Sequence, residues 1–122
     1  MMLIYDVRLG HNSFPYFETT RPNAIEQARE NFYAGLGQTE AVSGGKPVWV
    51  TETGWPHKGP VSGSAVASLE NSRRYYSEVG CSLFGTRNVF WYTLKDANAA
   101  QTDLSFALTP LENNTPYFDL KC

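Results

Sequence analysis

Apolar and polar residues alternate at the start of the chain: Tyr5, Val7 and Leu9 fall on one face, Asp6 and Arg8 on the other. That period of two predicts a strand from Leu3 to Asn12 with one buried face. A turn rich in Thr and Pro follows from Thr19 to Asn23, and the period then changes. Ile25, Ala28, Phe32 and Leu36 recur at helical spacing, and Asn23-Ala24-Ile25-Glu26 has the form of a capping box. Gly44-Gly45 ends that helix. Val48 to Glu52 is a run of β-branched and aromatic residues, entered by Pro47 and ended by Gly54 and Pro56, which reads as a short buried strand. A second helix is predicted from about Ser64 to Val79, with Ser64 as its cap, Val66, Leu69, Tyr76 and Val79 near one face, and Gly80 as its stop. Asn88 to Leu94 is almost continuously apolar, the pattern of a strand covered on both faces. Residues 97–122 lack a period and read as an irregular tail, with at most a short strand at Ser105 to Leu108.

Strand, helix, strand, helix, strand is the order of an α/β fold with parallel strands, and the first helix has the length of a crossover connection. A chain of 122 residues suffices for one small domain. Its net charge of −2 offers nucleic acid or an anionic membrane no electrostatic footing. No run is long and apolar enough to span a bilayer. Asp6 interrupts the apolar start and no basic residues precede it, so a signal peptide is not expected within this chain. Cys81 and Cys122 are too few for a metal site; a disulfide and two free thiols both remain open.

The chemistry concentrates in Glu52. A carboxylate at the end of a buried strand is costly unless it is paired or used, and the carboxyl ends of parallel strands are where α/β proteins build their sites. His57, in the loop beyond it, has no nucleophile or acid at triad spacing and reads as a loop residue or a modest substrate contact. A flavodoxin-like nucleotide site is disfavoured, because Gly44-Gly45-Lys46 precedes a strand instead of following one. Asn113-Asn114-Thr115 has the form of a glycosylation sequon, with Pro116 after it reducing its use.

The nine residues from Val48 to Pro56, Val-Trp-Val-Thr-Glu-Thr-Gly-Trp-Pro, resemble the signature of glycoside hydrolase family 17, the β-1,3-glucanases and their transglycosylating relatives. Asn12-Ser13-Phe14-Pro15-Tyr16-Phe17 is similar to the segment that ends strand six in that family, and the cysteine placement looks more like its fungal branch. The resemblance implies the carboxyl-terminal part of a (β/α)8 TIM barrel, about three β/α units corresponding to strands six to eight, as one incomplete catalytic domain over residues 1–122. It implies Glu52 as the catalytic nucleophile and Asn12, Tyr16, Trp55 and Asp96 as substrate contacts. It also implies a Cys81–Cys122 disulfide, no metal or cofactor, β-1,3-glucan as the partner, and a secreted or cell-wall location. The family's general acid/base is a Glu at the end of strand four, for which this sequence has no counterpart. Glu18 is the nearest acid, and the motif gives it no such role. The chain alone is therefore expected to be inactive without the missing N-terminal barrel portion. The alternative from another class is a non-catalytic glucan-binding or cell-wall module.

Overall fold

The computed structural model describes residues 8–97 and 103–122. Its three strands, β1 (Leu9–Ser13), β2 (Val48–Thr53) and β3 (Val89–Trp91), form one parallel sheet in the order β1-β2-β3. The part of the first strand predicted before Arg8 lies outside the described residues. Helix α1 (Ile25–Ala41) connects β1 to β2. Its apolar stripe is buried as the spacing required: Ile25, Ala28, Phe32 and Leu36 join Val48 and Val50 of β2 in the core. Fully burying side chains of this size contributes roughly 1.5–3 kcal/mol each. Gly44 and Gly45, both at positive φ, turn the chain from α1 into β2.

The capping box at Asn23 does not form. Ala24 is the N-cap residue and makes no side-chain cap, while Asn23 is buried and turned away from the helix. Its amide donates to the carbonyls of Tyr16 (3.0 Å), Ser62 (3.0 Å) and Pro15 (3.3 Å). Its Oδ1 accepts from the backbone N–H (2.9 Å) and hydroxyl (3.1 Å) of Ser64. Asn23 thus ties the segment after β1 to the loop after β2. The reason is availability: the two N–H hydrogens and the carbonyl oxygen of a buried amide serve both segments at once, whereas a cap accepts from one or two exposed N–H groups.

The second helix starts later than predicted. Ser64 is committed to Asn23, and Ser68 is the cap, its hydroxyl accepting from the Asn71 N–H at 3.0 Å. Helix α2 (Leu69–Tyr75) passes through a π-helical turn (Tyr76–Gly80) into α3 (Cys81–Leu83). Tyr75, Val79 and Leu83 carry its buried face, while Val66 and Leu69 are exposed. Gly80 lies inside this helical run and does not stop it. A Cβ there would meet the Trp91 ring at 2.9 Å and the Phe84 ring at 3.1 Å, so glycine permits close approach of the helix to β3.

Two further expectations change. The strand predicted from Asn88 to Leu94 is covered on one face only: Val89 and Trp91 pack on the core, whereas Phe90, Tyr92 and Leu94 are exposed. The tail is irregular yet not loose, since Ser105 to Thr109 are buried and Phe106 belongs to the core. The N–H groups of Leu108 and Thr109 donate to the Leu94 carbonyl at 3.1 and 3.0 Å, and Lys95 Nζ donates to Thr109 Oγ1 (3.1 Å) and the Pro110 carbonyl (2.7 Å). A disulfide joins Cys81 to Cys122, with Cα atoms 5.5 Å apart. Closing a loop of that sequence separation, 41 residues, contributes about 4 kcal/mol on the chain-entropy account.

Candidate functional site

Burial alternates regularly along β1 and β3, but not along β2. Val48 and Val50 are buried, and then Thr53 rather than Glu52. The pairing shows why. His11 stands opposite Val50 and Asn12 opposite Glu52, so β2 uses two residues where β1 uses one. The other neighbour agrees: Val50 pairs with Val89 and Thr53 with Trp91, three steps against two. β2 therefore carries one extra residue between Val50 and Thr53, a β-bulge. Thr51 and Glu52 together take a single place on the open face. Strict alternation would have sent Glu52 inward beside Val50; the bulge leaves it exposed.

The open face of the sheet carries Gly10 and Asn12 from β1, Trp49, Thr51 and Glu52 from β2, and Phe90 and Tyr92 at β3. Trp49 and Phe90 stack with ring centroids 6.1 Å apart, and the Arg8 guanidinium lies 5.4 Å from the Trp49 ring centre. The Thr51 hydroxyl donates to Asn12 Oδ1. A side chain at Gly10 would come within 3.0–3.1 Å of Thr51, so that residue leaves room for the Thr51–Asn12 contact. Beneath Glu52, Thr53 points into the core and its Oγ1 shares a hydrogen bond of 2.7 Å with the Tyr75 hydroxyl. Burial raises the Tyr75 phenol far above its usual range, against the opposing effect of the Thr53 bond. It remains a neutral hydroxyl that anchors the end of β2.

Asn12 and Glu52 are brought together at the carboxyl end of the parallel sheet, and Asp96 follows the carboxyl end of β3. Tyr16 and Trp55 are not with them on the surface. Tyr16 is 0% and Trp55 1% exposed, and their rings meet edge to face at 5.6 Å. The Tyr16 hydroxyl donates to the Pro60 carbonyl, and the Trp55 indole N–H donates to the Val66 carbonyl at 2.9 Å. The two rings expected to contact a substrate are thus buried in this structure. Large aromatic rings gain more from full burial than from one open face, and here their polar tips have found backbone partners. They support the site from below. Gly54 lets the chain turn there: a Cβ at this position would lie 2.2 Å from the Tyr92 carbonyl oxygen. Glu18 is ion-paired with Arg21 at 2.7 Å.

The loop after β2 and the segment after β3 are laced together. The His57 N–H donates to the Ser105 carbonyl and the Ser105 N–H to the Lys58 carbonyl, both at 2.9 Å. Their side chains continue the link: Ser105 Oγ lies 2.9 Å from His57 Nε2 and donates to Asp96 Oδ2 at 2.7 Å. The His57 ring rests on Tyr117, with centroids 4.6 Å apart. Burial lowers the His57 pKa, partly offset by the Asp96 charge. Sequence reasoning gave Ser105 no place in the site, because it stands 48 residues from His57 and no period or motif connects them. Among the described residues no three His, Cys, Asp or Glu side chains gather as a metal site, and no helix is long and apolar enough to cross a membrane.

Comparison with known proteins bears on this arrangement. Residues 6–106 match the family model described as the BtgE/BtgC glycoside hydrolase domain. The chain is 44% identical over 115 residues to the probable glucan endo-1,3-β-glucosidase of Aspergillus clavatus, covering 93% of this chain and 25% of that protein. It is 32% identical over 75 residues to the glucan 1,3-β-glucosidase of Schizosaccharomyces pombe, covering 59% and 23%. The chain thus spans about a quarter of the length of the curated relatives it matches. Among solved structures, it superimposes with a TM-score of 0.79 on the glycoside hydrolase family 17 β-1,3-glucanosyltransferase of Rhizomucor miehei, at 29% identity over 90% of this chain and 41% of that one. An active-site mutant of the Rhizomucor miehei β-1,3-glucanosyltransferase in complex with laminaritriose gives the same TM-score at 28% identity, with the same shares of each chain.

Proposed function

The chain belongs to the BtgE/BtgC glycoside hydrolase family, and on that premise we propose that it supplies the nucleophile half of a retaining site acting on β-1,3-glucan. The observation that carries this reading is the bulge in β2. It turns Glu52 out onto the open face, opposite Asn12, at the end of the sheet where α/β enzymes gather their catalytic groups. There the Glu52 carboxylate attacks the anomeric carbon, and a covalent glycosyl–enzyme forms as the glycosidic C–O bond breaks. The departing oxygen takes its proton from a second carboxyl group, which in retaining enzymes stands about 5–5.5 Å from the first. Asn12 and Asp96 are placed to hold sugar hydroxyls, and Trp49, Phe90 and Tyr92 offer the aromatic surface on which apolar sugar faces lie.

In this reading Glu18, ion-paired with Arg21, is not that second carboxyl. The acid in this reading comes from barrel strands outside the chain, and the three parallel strands are strands six to eight of the barrel. The chain alone is then inactive on glucan. The Cys81–Cys122 disulfide supports a secreted or cell-wall setting, since oxidising compartments preserve such bonds.

A dinitrophenyl 2-deoxy-2-fluoro-β-glucoside tests the nucleophile without requiring an acid, because its leaving group departs unprotonated. The expected result is a single glycosyl adduct on the peptide containing Glu52, lost in Glu52→Gln, together with no hydrolysis of laminarin. Absence of the adduct overturns the role of Glu52. Hydrolysis of laminarin that Glu52→Gln abolishes overturns the claim that the acid lies elsewhere.

A further inference from the structure

The contacts around Ser105 admit only one arrangement of protons. An ionised carboxylate accepts and does not donate. Ser105 has one proton, and that proton goes to Asp96 Oδ2 at 2.7 Å. Its 2.9 Å contact with His57 must then be donated by the imidazole, so Nε2 carries hydrogen. The Ala107 N–H also donates to Ser105 Oγ at 3.3 Å, which uses the oxygen's second lone pair. The imidazole is held in turn by the Tyr117 ring and by the backbone bridge between Lys58 and Ser105. Every member of the line His57, Ser105, Asp96 is thereby oriented, and the line engages Oδ2 of the carboxylate.

We propose that His57 and Ser105 are positioning residues that fix the Asp96 carboxylate as the acceptor for a glucan hydroxyl at the edge of the site. This rests on the glucan reading above. His57 comes from the loop directly after Glu52, and Asp96 from the loop directly after β3. The relay therefore also couples the loop after the proposed nucleophile to a proposed substrate contact. Without Ser105 the carboxylate loses the hydrogen bond that holds Oδ2, and the ordering that this bond supplies beforehand is charged against affinity when a sugar binds.

Two measurements on the 122-residue chain test the proposal. At pH 8, where His57 is neutral, side-chain nitrogen NMR is expected to show hydrogen on Nε2; hydrogen on Nδ1 overturns the relay. Laminaritriose is the binding probe. Ser105→Ala and His57→Leu are each expected to weaken its binding about tenfold. Ser105→Thr and His57→Gln, which keep the hydroxyl and a donor, are expected to stay within about twofold of the starting chain. In an Asp96→Ala background, Ser105→Ala is expected to add nothing, because its effect passes through Asp96. A loss of the same size in that background, or no loss in the Asp96 chain, defeats the proposal. If Ser105→Ala does not fold, the Thr and Gln variants and the tautomer decide. If the starting chain binds no laminaritriose, the glucan reading fails, and the tautomer alone decides the relay.

Discussion

Asn12 stands opposite Glu52, although the residue before it, His11, stands opposite Val50. The chain thus places a neutral amide, itself held by the Thr51 hydroxyl, directly across from its candidate nucleophile. Neighbouring strands are about 4.8 Å apart, a distance at which the charge of one residue governs the ionisation of the other.

Asn12→Asp would place two carboxylates across that pair. Like charges so close oppose joint ionisation, and one member is expected to titrate about 1 unit or more above the ordinary carboxylate range. Carbon-13 NMR of labelled carboxyl groups measures this directly. Covalent labelling of Glu52 by the fluoroglucoside should fall in parallel at pH 5 and recover as the pH rises.

Gly54→Ala is expected to be severely destabilising, by about 2 kcal/mol or more, because the new methyl meets backbone and not the end of a yielding side chain. Gly37→Ala provides the contrast. Nothing lies within 4 Å of its Cβ position, and alanine is the better helix former, so a gain of about 0.5–1 kcal/mol is expected. Urea denaturation of the two variants should move the midpoint in opposite directions.

Asn23→Ala removes the link between the segment after β1 and the loop after β2. It leaves the Pro15, Tyr16 and Ser62 carbonyls without their amide donor and Ser64 without its acceptor. A loss of about 3 kcal/mol is expected, more than the roughly 1 kcal/mol that a lost helix cap costs. A loss near 1 kcal/mol in chemical denaturation would restore the capping reading.

Stability should fall on acidification. His11 sits under α1, its ring edge-on to Phe32 at 6.0 Å, with Nδ1 2.9 Å from Thr39 Oγ1 and a buried Nε2 that has no partner among the described residues. Burial lowers its pKa below 6.5, against the raising effects of Glu18 and Glu40 and with the lowering effect of Arg87. The unfolded chain therefore binds this proton first. The contribution of neutral His11 is complete above about pH 6.5 and is lost as the pH falls through the lower folded value. His57 acts in the same direction. Thermal unfolding followed from pH 8 to pH 5 should show a falling midpoint, and His11→Gln should flatten that dependence.

Much of this architecture was legible in the linear pattern. The stripe of Ile25, Ala28, Phe32 and Leu36, the β-branched run entering Glu52, and the glycine pair between α1 and β2 follow from local periodicity and backbone freedom, which each segment carries in itself. The run from Val48 to Pro56 also disclosed the family. What the sequence could not disclose is where two distant segments agree to meet. Whether Asn23 caps a helix or clamps two loops depends on Pro15, Tyr16, Ser62 and Ser64 arriving around it, and burial then favours the clamp. Whether Tyr16 and Trp55 face a ligand or the core depends on what stacks upon them. The bulge that turns Glu52 outward is a property of three strands in register, and the His57–Ser105–Asp96 line exists only once two loops are laced together. Local chemistry set the elements and named the acid. Packing decided which face that acid occupies, because hydrogen-bond partners and buried area are settled between segments and not within them.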